Sequence, residues 1–459
     1  MKKLLRFMLL FAMLMPAGAC AGGDEAASPT PLAEPLDKRG ETERLAGEFV
    51  QNLAAGKSEA AWELCDKTVQ NAISAAALQR AWVDSVTAQL GAFVEVTDYK
   101  ISESDGYTIC ETYSAHENSE NFAVSRVVFD SDGKIAGIFF SISGNEPLAD
   151  EPIPDAITEE TVTIGDKYPL EGRLTLPKNI SGAVAAVVML SGSGPNDMDE
   201  TIYRNKPFRD IAHYLSEAGY AVLRFNKRTY SYAAELVRDV GDSLTVNEEY
   251  IEDALYAKKF LENDERINSE KIYLLGHSLG GALAPRIAAE GDFSGIIIMA
   301  GTLRSMPEIA LEQYEYLAAL PSASPELKTA ADSMREDYEN YLKTVKLPDE
   351  EAKAAKILGS SIYYFKEMEA HPAIDYLKTS DKPTLILQGG ADYQVSAAID
   401  FEQYKAIKKV NIKCVLYKNL NHLFMPSEAE KSTPNEYLVK AKVSTAPLKD
   451  IAGFLRDNG

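Results

Sequence analysis

The hydrophobic positions of this chain follow two rhythms in succession. Residues 42–54 and 59–73 repeat apolar side chains at helical spacing. Residues 75–90 set Leu78, Trp82 and Val86 four apart, on one helix face. After Gly91 the period shortens to two. Residues 93–96, 107–113, 123–129 and 135–142 are short, alternating and rich in β-branched and aromatic side chains. Asp130-Ser131-Asp132-Gly133 between the last two reads as a hairpin turn. Helices followed by antiparallel strands predict a small α+β domain over residues 41–145.

Residues 146–158 hold three prolines and four acids, the composition of a linker. Beyond them the pattern is βαβ-like. Residues 162–164 and 170–176 predict an opening hairpin. Residues 183–190 form a continuous apolar run, as expected of a strand buried on both faces. Helices are predicted over 208–218, 247–261, 279–289 and 446–455, and strands over 220–225, 272–275, 293–300, 384–387 and 414–417. Alternation of this kind predicts a mostly parallel sheet over residues 159–459. One block interrupts it. Residues 302–379 carry no strand pattern and have helical spacing throughout, so they predict a helical cap over the C-terminal edge of the sheet.

The first nineteen residues stand apart from both domains. Lys2, Lys3 and Arg6 precede an uninterrupted apolar run over 7–15, too short to span a bilayer. Ala17-Gly18-Ala19-Cys20 follows. Ala-x-Ala suits a general signal peptidase, and small residues before a cysteine resemble a bacterial lipobox, although Ala17 stands where lipoproteins carry leucine. Both readings cut before Cys20 and export the protein. The Gly/Ala/Pro/acidic composition of residues 20–40 is that of a flexible tether, which favours lipidation of Cys20 and attachment to an envelope membrane.

With 47 basic and 69 acidic side chains the net charge is -22, which disfavours nucleic acid as a partner. The four cysteines, Cys20, Cys65, Cys110 and Cys414, form no CxxC pair, so neither a zinc ribbon nor a thioredoxin-type site is expected. Cys65 and Cys110 suit either a disulfide after export or two buried thiols. His116, in a polar stretch with Glu117 and Glu120, reads as a solvated histidine.

Gly276-His277-Ser278-Leu279-Gly280 is a G-x-S-x-G sequence between a predicted buried strand and a predicted helix, the setting of a nucleophile elbow. Pro285 conflicts locally with that helix. A serine nucleophile needs a histidine base oriented by a carboxylate. Of five histidines only His371 and His422 follow Ser278. His371 falls in the cap, whereas His422 follows the last strand. Asp392 follows the strand at 384–387 and a glycine turn, so the set is Ser278, Asp392 and His422. The oxyanion donors would be the N–H of Leu279, at the helix start, and that of Ser193, in the Gly-rich loop Ser191-Gly192-Ser193-Gly194-Pro195 after the apolar strand.

Residues 159–459 resemble a bacterial α/β-hydrolase of the carboxylesterase type, similar to dienelactone hydrolases and serine aminopeptidases. The resemblance is carried by 192–197 (GSGPND), Asp199-Glu200-Thr201, 223–228 (LRFNKR), 276–281 (GHSLGG), 389–392 (GGAD) and 421–424 (NHLF). The family has Asp where Asn226 stands, so a salt bridge of the family would be missing here. The Trp82 helix, Gly91-Ala92-Phe93 and the strands after it resemble the NTF2-like (cystatin-like) domain fused ahead of some bacterial α/β-hydrolases. The resemblance implies hydrolysis of a small-molecule carboxylic ester without a cofactor. A peptidase with the same triad is the nearest rival, with Glu308, Glu312 and Glu315 as its acidic anchor for a substrate amine. A non-catalytic envelope binding protein is the other, and the complete Ser-Asp-His set argues against it. The cap aromatics Tyr314, Tyr316, Tyr338, Tyr341, Tyr363, Tyr364 and Phe365 would either line an acyl pocket or pack the helices.

Overall fold

The computed structural model describes residues 35–143 and 152–458, except 105, 106, 118, 120, 204, 322 and 324. The export segment, Cys20 and the tether up to residue 34 lie outside the described residues, as do linker residues 146–151. The chain divides into two compact units at Glu151/Pro152.

In the first unit helix Pro35–Ala54 begins inside the stretch read as tether. The single helix expected over 59–73 is two, Ser58–Glu63 and Lys67–Ala72. The break has a local cause. Cys65 bridges to Ile135, and the Asp66 carboxylate accepts from the Val69 N–H (2.7 Å), starting the second helix as its N-cap. The helix carrying Leu78, Trp82 and Val86 is present from Ala75, with a π-helical turn over Val83–Thr87. An antiparallel sheet follows in chain order: β1 (Phe93–Ser104), β2 (Tyr107–His116), β3 (Phe122–Phe129) and β4 (Ile135–Ser143). The β3–β4 turn is closed by Asp130, whose Oδ1 accepts from the N–H groups of Asp132 and Lys134. Cys65 and Cys110 are free, buried thiols, the second of the two readings of this pair.

His116 is a correction. It is buried at the end of β2, its Nδ1–H donates to the Gly91 carbonyl (3.0 Å), and its ring lies 6.0 Å from that of Trp82. The polar residues after it belong to the connection, while His116 itself still belongs to the inward face of the strand.

The second unit is built on an eight-stranded sheet. Its strands are β5 (Ile157–Ile164), β6 (Leu170–Pro177), β7 (Val184–Leu190), β8 (Ala221–Phe225), β9 (Ile267–His277), β10 (Ile296–Met299), β13 (Thr384–Gly389) and β14 (Ile412–Tyr417). They lie in the order β14-β13-β10-β9-β7-β8-β6-β5. The β5–β6 hairpin is antiparallel, β6 pairs antiparallel with β8, and the other pairs are parallel. Alternate residues of the central strands enter separate cores: Val188, Leu274, Ile298 and Ile386 one, Val187, Leu275, Ile297 and Leu385 the other. Burial on both faces is why these strands read as unbroken apolar runs. This is the α/β-hydrolase sheet that the sequence predicts.

The insertion is helical, with helices Met306–Ala319, Pro325–Thr344, Asp349–Ala354, Ile362–Ala370 and Ala373–Thr379. It departs from expectation only in a small ribbon, β11 (Lys356–Ile357) with β12 (Ser360–Ser361). Its aromatics pack and hydrogen-bond. Tyr316 stacks on Tyr393, Tyr341 bonds to Glu369, and Tyr364 donates to Glu249 (2.7 Å).

Candidate active site

Four loops meet at the carboxyl edge of the sheet. They follow β7, β9, β13 and β14, so they flank the point where the strand order reverses between β8 and β9. Each carries one element expected from the sequence.

After β9 the chain turns sharply into helix Leu279–Glu290, with Ser278 between them at φ 52°, ψ -117°. A non-glycine residue adopts such a backbone only when its surroundings enforce it. The enforcement is visible at Gly276, where a Cβ would lie 2.2 Å from the Gly280 carbonyl oxygen. Pro285 is accommodated within a continuous helix. Leu279 is the first helical residue, so its N–H has no intrahelical acceptor.

Asp392 follows β13 and is fully buried, yet its carboxylate is saturated. Oδ1 accepts from the N–H groups of Gln394 (2.7 Å) and Val395 (3.0 Å). Oδ2 accepts from Gln388 Nε2 (2.9 Å) and His422 Nδ1–H (2.7 Å). Four donors keep this oxygen pair acceptor-only and fix the imidazole with Nε2 free to exchange a proton. Asp400, further along the chain, is occupied by Thr302 and Arg304.

His277 links the His422 loop to the elbow. Its Nε2–H donates to the His422 carbonyl (2.9 Å), and the two rings lie 4.6 Å apart. Its Nδ1–H meets Glu200 Oε1 at 2.9 Å. Burial opposes a charge on this ring, but Glu200, the His422 carbonyl and Asp392 together hold the His277 pKa above the ordinary value. The Ser278 hydroxyl itself makes no hydrogen bond among the described residues.

The loop after β7 lies against Ser278. A Cβ on Gly192 would stand 3.1 Å from both Ser278 Cβ and Glu200 Oε1, a tight contact that glycine avoids. The Gly192 N–H donates to Glu200 Oε1 (2.6 Å). Behind the loop is a buried lysine. Lys227 Nζ contacts the Gly192 carbonyl (3.2 Å), the Gly194 carbonyl (2.9 Å), Tyr250 Oη (2.5 Å) and Glu249 Oε1 (2.7 Å). Asn226 is not an idle replacement for the family's Asp: its Oδ1 accepts from the Met198 N–H (2.9 Å) and holds the same loop.

Glu200, His277, Lys227 and Gln388 were not singled out as site residues by sequence reasoning: the first three have partners far along the chain, and Gln388 is a neutral amide bonded to nearby Asp392. Buried charge was the available signal. Three of the four stand in the quoted motifs, and Gln388 stands beside one.

Glu308, Glu312 and Glu315 do not form a free acidic cluster. Arg304 pairs with Glu308 and Glu312, and Arg335 with Glu315. Among the described residues no group of His, Cys, Asp and Glu side chains is arranged to hold a metal ion. The surface depression lined by Thr158, Leu176, Lys178 and Arg266 lies at the opposite edge of the sheet, remote from this chemistry.

Comparison with known proteins agrees with this architecture. Residues 204–430 match the family described as serine aminopeptidase, S33, and residues 46–138 match a family described only as a protein of unknown function (DUF3887). Esterase EstD of Thermotoga maritima is 35% identical over 410 residues, which cover 89% of this chain and 93% of that protein. Among solved structures, an esterase of Pyrococcus furiosus (17% identity, TM-score 0.42) covers 69% of this chain and 97% of its own. Est1E from Butyrivibrio proteoclasticus (16% identity, TM-score 0.41) covers 65% and 98%. The extent and identity of the Thermotoga match decide the assignment: the chain belongs to the α/β-hydrolase family of that esterase, with a hydrolase domain of the S33 serine aminopeptidase type.

Proposed function

We propose that this protein is a serine carboxylesterase in which Ser278 is the nucleophile, His422 the general base and acid, and Asp392 the residue that orients the imidazole. Ser278 Oγ attacks the ester carbonyl carbon as its proton passes to His422 Nε2. That proton then goes to the leaving alcohol, and the acyl group stays on Ser278. Water, deprotonated by His422, releases the acid by the same steps. The Ser193 and Leu279 N–H groups receive the negative oxygen of each tetrahedral intermediate. Ser278 and His422 close their hydrogen bond with substrate in place, as catalytic contacts commonly do.

The observation that carries this reading is the saturated Asp392–His422 pair beside a strained serine elbow, in a chain 35% identical to an esterase. The pairing of Glu308, Glu312 and Glu315 with arginines speaks against an amine-anchoring peptidase. The test is labelling by a fluorophosphonate probe together with hydrolysis of a short p-nitrophenyl ester. Labelling is expected at Ser278, and Ser278→Ala is expected to lose about a million-fold in kcat. Full activity of Ser278→Ala would refute the assignment. Faster turnover of aminoacyl-anilides than of simple esters would favour the peptidase.

The reading extends to location. Cleavage before Cys20 and acylation of its thiol would tether the enzyme to an envelope membrane. Metabolic incorporation of a labelled fatty acid that disappears in Cys20→Ala is the expected result; label that persists in that variant refutes it.

A further inference from the structure

Lys227 is the most expensive side chain near the site. Its ammonium is 4% exposed and its counter-ion Glu249 2%. Burying such a pair costs several kcal/mol in desolvation, and an apolar residue of similar volume would stabilise the fold as well or better. Its neighbours show what the charge is used for. The Gly192 carbonyl, the Gly194 carbonyl and the Glu249 carboxylate can only accept. Tyr250 Oη accepts from Lys227 and passes its own proton to the Gly192 carbonyl (2.6 Å). Asn196 Nδ2 donates to that same carbonyl at 3.0 Å. Three donors therefore converge on one peptide oxygen, while the N–H of Gly192 is fixed by Glu200 on the other side.

The consequence follows from peptide geometry. The Gly192–Ser193 peptide is trans, so its C=O and N–H point in opposite directions. A carbonyl pulled toward Lys227 turns the Ser193 N–H away from the lysine. Among the described residues that N–H has no acceptor. A positive charge at the oxygen end also draws electron density from the nitrogen and makes the N–H a stronger donor.

We propose that Lys227 is a positioning residue for acyl transfer, which, with Tyr250, aims and polarises the Ser193 N–H toward the oxyanion. The inference rests on the reading of Ser278 as nucleophile and Ser193 as oxyanion donor. Glu249 completes the arrangement from behind, since its second oxygen accepts from Tyr364 of the cap. The chain of contacts thus runs from the cap helix to the Gly192–Ser193 loop.

The test compares Lys227→Met and Tyr250→Phe with the parent full-length enzyme. Fluorophosphonate titration gives the concentration of competent sites, so kcat is expressed per labelled site. Misfolding alone lowers the number of sites and leaves this value unchanged. An arylboronate, which forms a tetrahedral adduct with serine, reports on the oxyanion hole. Lys227→Met is expected to lose roughly a hundredfold in kcat per site, with KM within about threefold and boronate affinity falling in parallel with kcat/KM. Tyr250→Phe is expected to lose about five- to tenfold in the same two quantities. If Lys227→Met yields no folded enzyme, Tyr250→Phe decides. Unchanged kcat per site and unchanged boronate affinity overturn the inference. A parent that the probe does not label, or an active Ser278→Ala, overturns the serine-hydrolase reading and this inference with it. A parent labelled at Ser278 beside an unaltered Lys227→Met overturns this inference alone.

Discussion

His116, at the end of β2 in the small unit, and His277, at the end of β9 in the large one, are both 4% exposed. Their partners favour different protonation states. His116 donates from Nδ1 to a backbone carbonyl and takes the Ser114 hydroxyl at Nε2 (3.2 Å), an arrangement that a neutral ring satisfies. Burial pushes its pKa down. His277 faces acceptors at both nitrogens, the Glu200 carboxylate and the His422 carbonyl, and needs two protons to satisfy them. In the small unit buried polarity is local and neutral. At the catalytic edge it is ionic, and it joins loops that the sequence keeps far apart.

The largest effect that this contrast predicts is on catalysis. Asp392→Asn preserves shape but puts an amide opposite His422, which no longer fixes the productive tautomer. A loss of about ten-thousandfold in kcat is expected, with the thermal midpoint little changed. Steady-state kinetics on an ester decides, and a loss below tenfold would break the link between buried ionic bonding and the site. Next comes stability. Glu200→Gln leaves His277 buried with an unmatched charge and should cost about 3–5 kcal/mol. His116→Gln in the small unit disturbs only neutral hydrogen bonds and should cost about 1–3 kcal/mol. Urea unfolding followed by circular dichroism for the first variant and by tryptophan emission for the second measures both. The second probe is specific, because Trp62 and Trp82, the two tryptophans of the chain, both lie in the small unit.

The pH dependence should also differ in sign. His277 has a folded pKa above its ordinary 6.5: burial opposes the charge, while Glu200, the His422 carbonyl and Asp392 favour it. Its contribution is fully present below pH 6.5 and is lost as pH rises through the folded value. His116 has a folded pKa below 6.5, because burial outweighs the Gly91 bond. Its contribution is present above pH 6.5 and is lost as pH falls through the folded value. Tryptophan-detected stability should therefore decline on the acid side in the parent and less so in His116→Gln. The stability of the large unit should decline on the alkaline side, and Glu200→Gln should abolish that slope. Slopes of the same sign in both units would dissolve the contrast.

How much of this could be read from the sequence depends on the range of the forces involved. The central strands declared themselves because both faces are buried, so apolar residues run without interruption. β1 exceeds its predicted span because pairing continues where the side chains turn polar, and β9 because Ile267 pairs with Val184 ahead of a register shift. β1 keeps its register with β2 through Lys100↔Glu111 and Ser104↔Tyr107, and β9 begins at Ile267, ahead of polar Asn268, Ser269 and Glu270. Backbone hydrogen bonds need no hydrophobic pattern. Ser278, Asp392 and His422 could be proposed as a set because each follows a recognisable strand, in the order that the α/β-hydrolase fold imposes. Lys227 and Glu200 were not assigned roles because their meaning lies in pairings across 35 residues to Gly192 and 77 to His277. No local pattern encodes such a pairing.

The smallest expected effect concerns the thiols of the small unit. Cys65 and Cys110 are 3% and 0% exposed, and burial pushes their pKa values up to about 12 and about 11. A thiol reacts as its thiolate, so at pH 8 both should be inert in the folded protein. Cys65 donates weakly to the Ala61 carbonyl and Cys110 contacts the Thr112 hydroxyl, contacts that a reductant leaves untouched. Dithiothreitol should therefore leave the tryptophan-detected midpoint where it is. Alkylation by iodoacetamide, located by peptide mapping, should reach these two cysteines only as the small unit unfolds. A midpoint that drops with reductant would mean that the two are joined in a disulfide. The neutral interior of the small unit would then rest on a covalent bond rather than on packing around Trp82.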